Sequence, residues 1–112
     1  MKISIREAGN VTILEPKGKI AIGKGDVAIR EAIDSALSGG KDNILLDFKA
    51  VTRMDSAGLG ELVAAHKAVT QSGGAIKLMK LPSKLYNVLG MTQIVTVFDV
   101  FDDESEALAS FR

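Results

Sequence analysis

The chain has 112 residues, which suits one domain, and such a chain buries roughly two-thirds of its unfolded surface. Lys plus Arg equals Asp plus Glu at 14 each, which excludes the basic field that nucleic acid or an anionic lipid surface would need, and any field that steers acidic substrates. No cysteine is present, so disulfide and thiolate chemistry are excluded, and 46% hydrophobic content with only 4% aromatic requires an aliphatic core.

Lys2 to Glu7 alternates, with Ile3 and Ile5 on one face, as in a half-buried strand at a sheet edge. Ala8-Gly9-Asn10 supplies turn residues, and Val11 to Glu15 is the returning strand of a hairpin. Pro16 is expected to end that ladder because it has no N–H to donate. Gly18 to Gly25 reads as a glycine-punctuated loop around Ile20, Ala21 and Ile22, with Asp26 capping the next helix. In that helix Ile29, Ile33 and Leu37 share one face, Arg30, Glu31 and Asp34 face out, and Gly39-Gly40 stops it. From Asn43 to Phe48 the run Ile44-Leu45-Leu46 is continuously apolar, as in a strand covered on both faces.

Lys49 to Met54 reads as a short connection into Asp55-Ser56-Ala57-Gly58-Leu59-Gly60 and a helix. Leu59, Leu62, Val63, His66 and Val69 lie near helical spacing there, and Gly73-Gly74 stops it. Ala75 to Met79 is a strand, and Pro82 opens a short helix carrying Leu85, Val88 and Leu89 that Gly90 ends. Ile94 to Phe98 is the expected last strand. Asp103 and Glu106 form a variant capping box before a helix whose inner positions are Leu108 and Phe111. Strands alternating with helices predict an α/β fold: one domain over 1–112, a mixed central sheet with an N-terminal hairpin, and about four helices. No signal-peptide h-region and no apolar run near roughly 18 residues is present, so the expectation is a cytoplasmic protein with no membrane partner.

Ser56 is a hydroxyl at the start of a helix, where unpaired N–H groups and the positive end of the helix dipole make a good place to carry a phosphate. A simple N-cap explains the same residue, since Ser and Asp both favour that position. As a catalytic nucleophile Ser56 lacks a base: His66, the one histidine, lies roughly 15 Å along the same helix. One histidine, no cysteine and no paired carboxylates at ligand spacing predict no metal and no cofactor. Gly58 and Gly60 weaken a helix start, either for close packing on the sheet or to let another backbone approach Ser56. The segment Gly18 to Gly25 matches the phosphate-binding loop G-x-x-x-x-G-K-(S/T) except at Gly25, which removes the metal-binding hydroxyl. With Lys24 and the strand-end Asp47 it supports an alternative reading as a small nucleotide-binding protein or hydrolase.

The hexapeptide Asp55 to Gly60, preceded by an apolar strand ending in Asp47-Phe48, resembles the Asp-Ser-(Ser or Thr)-Gly-Leu-Gly pattern of the STAS family, and most of all its bacterial anti-sigma factor antagonists. Gly18-Lys19-Ile20 stands where that family has a Gly-Glu-Leu-like turn, and the likeness runs through Gly73-Gly74 and the Leu81 to Gly90 helix. Two positions depart: Ala57 replaces the usual second hydroxyl, and Ala21 stands where an acidic residue is often found. The resemblance implies a non-enzymatic binding protein switched by phosphorylation at Ser56, with Asp55, Ala57, Gly58, Leu59, Ile22 and Gly23 as partner-binding residues. It implies as partners an anti-sigma factor that is itself a serine kinase, and a serine phosphatase, with no direct nucleic-acid contact. A scaffold subunit whose Ser56 is never modified is a third possibility.

Overall fold

The computed structural model describes residues 1–88 and 97–111. Strands β1 (Lys2–Ala8) and β2 (Val11–Ile20) form the antiparallel hairpin. Helix α1 (Gly25–Ser38), strands β3 (Asn43–Asp47) and β4 (Val51–Met54), helix α2 (Ser56–Gln71) and strand β5 (Ala75–Met79) follow. Helix α3 (Ser83–Val88), strand β6 (Val100–Phe101) and helix α4 (Glu104–Ala109) complete the described chain. Among the described residues the sheet has six strands: β1-β2-β3-β5-β6 lie in that order, and β4 pairs with the far end of β2. Every pairing except the hairpin is parallel, so the sheet is mixed as expected.

The apolar run of β3 follows from its place in the middle. Successive strand side chains point to opposite faces. Ile44 and Leu46 join Leu14, Ile76 and Leu78 beneath the inner faces of α1, α2 and α3, contributed by Ile29, Ile33, Leu62, Val69 and Leu85. Leu45 joins Ile13 and Met79 with Ala107 and Phe111 on the other side. A strand covered on both faces has no solvated side, so alternation disappears. Helices α1 and α2 stop alike. Gly40 and Gly73 adopt positive φ, and the following N–H groups of Lys41 and Gly74 donate to Ala36 and Val69 at 2.9 and 3.0 Å.

Several expectations are corrected. Pro16 does not end β2, which runs on to Ile20. The parallel pairing to β3 ends at Leu14 and that to β4 begins at Gly18, so Pro16 falls between two partners. The connection after β3 contains a strand, β4, whose buried ends and exposed Thr52 and Arg53 hide its nature. Helix α1 begins at Gly25 with Lys24 in the cap position, which leaves Asp26 inside its first turn. Val63 is 40% exposed, and Ala65 takes the inner place on α2. Ile5 is 62% exposed, so β1 packs through Ile3. Of the expected last strand, Ile94 lies outside the described residues, while Val97 is helical and Phe98 sits in a bend; the strand seen is Val100–Phe101. The Val88 side chain, Leu89 and Gly90 also lie outside the described residues. Asp103 caps α4, its carboxylate accepting the Glu106 N–H at 3.0 Å, and Phe111 is buried as expected.

The corrected face of α2 sets up a contrast. Leu62→Ala should lower unfolding free energy by about 2–5 kcal/mol, since it empties a fully buried site. Val63→Ala should stay within about 0.5 kcal/mol. Urea denaturation of both variants checks this, and equal losses would put Val63 back in the core.

Candidate functional site at the start of helix α2

The site is placed by the far end of β2. Gly18, at positive φ, marks a register shift, beyond which Ile20 pairs with Met54. The chain then turns outward at both strand ends, into Ala21 to Lys24 on one side and Asp55-Ser56 on the other. Asp55 is the N-cap of α2: one carboxylate oxygen accepts the Gly58 N–H at 3.0 Å. The other accepts the Ile22 N–H at 3.1 Å. These two bonds, Gly58 first, hold the Asp55 carboxyl below its ordinary pKa. The neighbouring N–H of Gly23 donates to Asp26 at 2.9 Å. The turn carrying Ile22 is therefore pinned by two carboxylates, one at the start of each helix.

Because Asp55 caps the helix, Ser56 does not. It is the first helical residue and is exposed. Ala57 and Leu59 are half-buried, and Leu59 also packs on the core. Ile22 is 77% exposed, and Gly23 beside it is exposed at positive φ. Gly58 is buried: a Cβ there would overlap the Ile20 carbonyl oxygen and the Met54 side chain. Close packing thus explains Gly58, while Gly60 has open space around it. An open cavity of about 600 Å³ lies beside Ser56, lined by Arg53, Asp55 and Leu59 from β4 and the start of α2 and by Lys84 and Leu85 from α3. Sequence reasoning missed Arg53 and Lys84, because nothing local links β4 to α3.

The residues of the alternative nucleotide reading do not meet. Lys24 lines a second surface cavity of about 660 Å³ with Lys17 and Lys19. Asp47 does not line it; it is fully buried, accepting the Lys49 N–H at 3.0 Å with the Lys49 ammonium 3.5 Å away. Gly25, where a phosphate loop has its hydroxyl, is held by close approach to the Lys19 carbonyl and Ile20 backbone. His66 lies on the same helix as Ser56, half-buried and edge-to-face with Phe98 at 5.3 Å between ring centres. No cluster of three His, Cys, Asp or Glu that would hold a metal ion occurs among the described residues.

Comparison with known proteins decides the family. The STAS domain model matches residues 2–107. The chain belongs to the STAS domain family. Among STAS relatives, the anti-sigma F factor antagonist of Paenibacillus polymyxa is 25% identical over 113 residues, covering 100% of this chain and 96% of that protein. The anti-sigma-B factor antagonist of Bacillus subtilis is 27% identical over 100 residues, covering 89% and 90%. The crystal structure of TM1081 from Thermotoga maritima matches this STAS fold with a TM-score of 0.88 at 27% identity, covering 98% of this chain and 94% of that one.

The Asp55 bonds predict a pH dependence. A carboxyl whose folded pKa is depressed stabilises above its unfolded pKa of about 3.9, and that part is lost as pH falls through the lower folded value. Asp55→Asn should therefore be less stable than wild type at neutral pH, and the difference should shrink as pH falls below about 4. Denaturant midpoints at several pH values check this. In the same variant the Ile22 amide should exchange faster; unchanged exchange would mean the Asp55 bond does not hold the turn.

Proposed function

We propose that this STAS domain is an anti-sigma factor antagonist, a binding protein that docks through the surface around Ser56 and is released by phosphorylation there. The observation that carries the reading is the freedom of the Ser56 hydroxyl. Capping is done by Asp55, and Ser56 stands exposed at the helix start beside the exposed Ile22. Membership of the family, and relatives named as antagonists of anti-sigma F and anti-sigma-B factors, supply the class of partner. The partner is an anti-sigma factor that is also an ATP-dependent serine kinase, and a serine phosphatase resets the switch. The docking surface is Ser56 with Ala57 and Leu59 on α2, and Ile22 and Gly23 on the turn that Asp55 holds beside them. Gly58 contributes from beneath, as the point where the helix closes on Ile20.

In the phosphoryl transfer the Ser56 oxygen bonds to the γ-phosphorus of ATP as the bond to the β–γ bridging oxygen breaks. ADP leaves, and the hydroxyl proton passes to a base on the kinase. The product carries about −1.5 to −2 charges in a contact that was neutral and small. Within the domain the charge sits at a helix N-terminus, which favours it by roughly 0.3–2 kcal/mol. Against a docked partner it meets desolvation and repulsion, and 2–3 kcal/mol there changes affinity about 30–150-fold. The domain works in this reading without turnover chemistry of its own.

Ser56→Ala and Ser56→Asp separate the terms. Ser56→Ala should alter stability by less than about 0.5 kcal/mol, because the cap remains, and should bind the anti-sigma factor without being released by its kinase. Ser56→Asp adds one charge and no tetrahedral group, so it should weaken binding less than phosphorylation does. Calorimetric titration of wild type, both variants and kinase-treated protein, with intact mass and site mapping, reads all of this. Equal affinity before and after phosphorylation would sink the switch, and modification of Thr52 in place of Ser56 would move it.

A further inference from the structure

Arg53 and Lys84 stand out once the Ser56 cavity is considered as a volume. They come from separate elements, the end of β4 and the first turn of α3, and line the same cavity as Ser56. Of the other cations, Arg6 pairs with Glu104, Arg30 with Glu61, Lys41 with Glu7, Lys49 with Asp47 and Glu15, and Lys77 with Asp99, while Lys17, Lys19 and Lys24, without an ion-pair partner among the described residues, line the second cavity, which has no hydroxyl side chain in its lining. Arg53 and Lys84 have no ion-pair partner among the described residues, and both are exposed. The one carboxylate in the cavity wall is Asp55, whose two oxygens are already bonded to the Gly58 and Ile22 N–H groups. Glu61, the next acid along α2, is held by Arg30 at 3.0 Å and does not line this cavity. The apolar part of the lining comes from Met54, Leu59 and Leu85. Two free cations thus border a space that holds no free counter-charge, with a phosphorylatable hydroxyl in its wall.

We infer that Arg53 and Lys84 are an intramolecular latch for the phosphate of phosphoserine 56, drawing it into the cavity. This rests on the reading of Ser56 as the phosphorylated residue. The guanidinium offers paired N–H donors to two phosphate oxygens, and the Lys84 ammonium adds a point charge from α3. The phosphate then covers Leu59, which places the new charge across the middle of the proposed docking surface. It also favours the doubly ionised phosphate at neutral pH against the repulsion of the adjacent Asp55.

The test uses full-length protein with phosphoserine encoded genetically at position 56, so that it does not depend on finding a kinase. Phosphorus NMR reads the second ionisation, which lies near 6 for an unperturbed phosphoserine. The expected result is a wild-type value below that of the Arg53→Gln, Lys84→Gln double variant by about half a unit or more, shrinking at high salt. Arg53→Lys should keep part of the shift, which a purely structural role for the arginine would not produce. Circular dichroism of each variant confirms that it is folded. Identical titrations in wild type and double variant would overturn the latch. So would saturable binding of inorganic phosphate at Arg53 and Lys84 that persists with phosphoserine in place, since the cations would then serve a free anion. Intact-mass analysis of protein treated with the anti-sigma kinase is the separate arm. A Ser56 that is never modified would end the proposed function while leaving the phosphorus titration to stand by itself.

Discussion

The carboxylate of Asp55 is the constraint on which the rest of the site depends. Its two oxygens accept N–H groups from Ile22, 33 residues away in sequence, and from Gly58 on its own helix. An ionised acceptor makes both bonds stronger than neutral ones. Fixing a turn costs about 1–2 kcal/mol of backbone entropy per residue, and the Ala21 to Lys24 turn has few apolar contacts to offset it, since Ile22 points into solvent. The offset comes from carboxylates: Asp55 at Ile22 and Asp26 at Gly23. The same bond that orders the turn also caps α2, and so frees the Ser56 hydroxyl from that task. One side chain thereby couples loop order, helix initiation and availability of the serine.

Beneath this polar link lies a set of close backbone approaches that leave little room for relaxation. Gly25 sits against the Lys19 carbonyl, Gly58 against the Ile20 carbonyl, and Gly74 against Asp42. The first two clamp the end of β2 between the starts of α1 and α2. The helix starts are therefore positioned by backbone contact, which admits less adjustment than packing through side chains. A rigid base of this kind would suit the proposed switch, because a change made by one covalent group would stay where it is made.

How far the sequence disclosed this depended on the range of the signal. Strand β3 and helix α1 were legible because their cause is local: a centre strand covered on both faces is continuously apolar, and Ile29 and Ile33 repeat at helical spacing. Strand β4 was hidden, because four residues with both ends buried and the middle exposed show neither alternation nor a run. Pro16 misled because the loss of an N–H matters only where a partner strand waits for it, and β2 changes partner around that point. Val63 has suitable spacing yet sits beyond the edge of the buried stripe. Ser56 could be placed from the hexapeptide alone. Its neighbours in space could not, since the bond from the Ile22 N–H to Asp55 and the presence of Arg53 and Lys84 in the lining of one cavity are products of topology.

The charges around Ser56 give the proposed switch its direction. A phosphate at that position has three local influences: the helix N-terminus and the free cations Arg53 and Lys84 attract it, and Asp55 repels it. Asp55 already has both oxygens engaged by backbone donors, so its repulsion is softened where it stands. In the proposed latch, attraction by the helix N-terminus and the two cations opposes the repulsion by Asp55 inside the domain itself. A docked partner would have to cover the same phosphate and strip its water, with Arg53 and Lys84 already committed to it. The unfavourable term then falls on the complex and not on the free domain, which is what a binding protein released by phosphorylation requires. The asymmetry comes from which charges were left unpaired on this side of the fold, and it needs no second conformation.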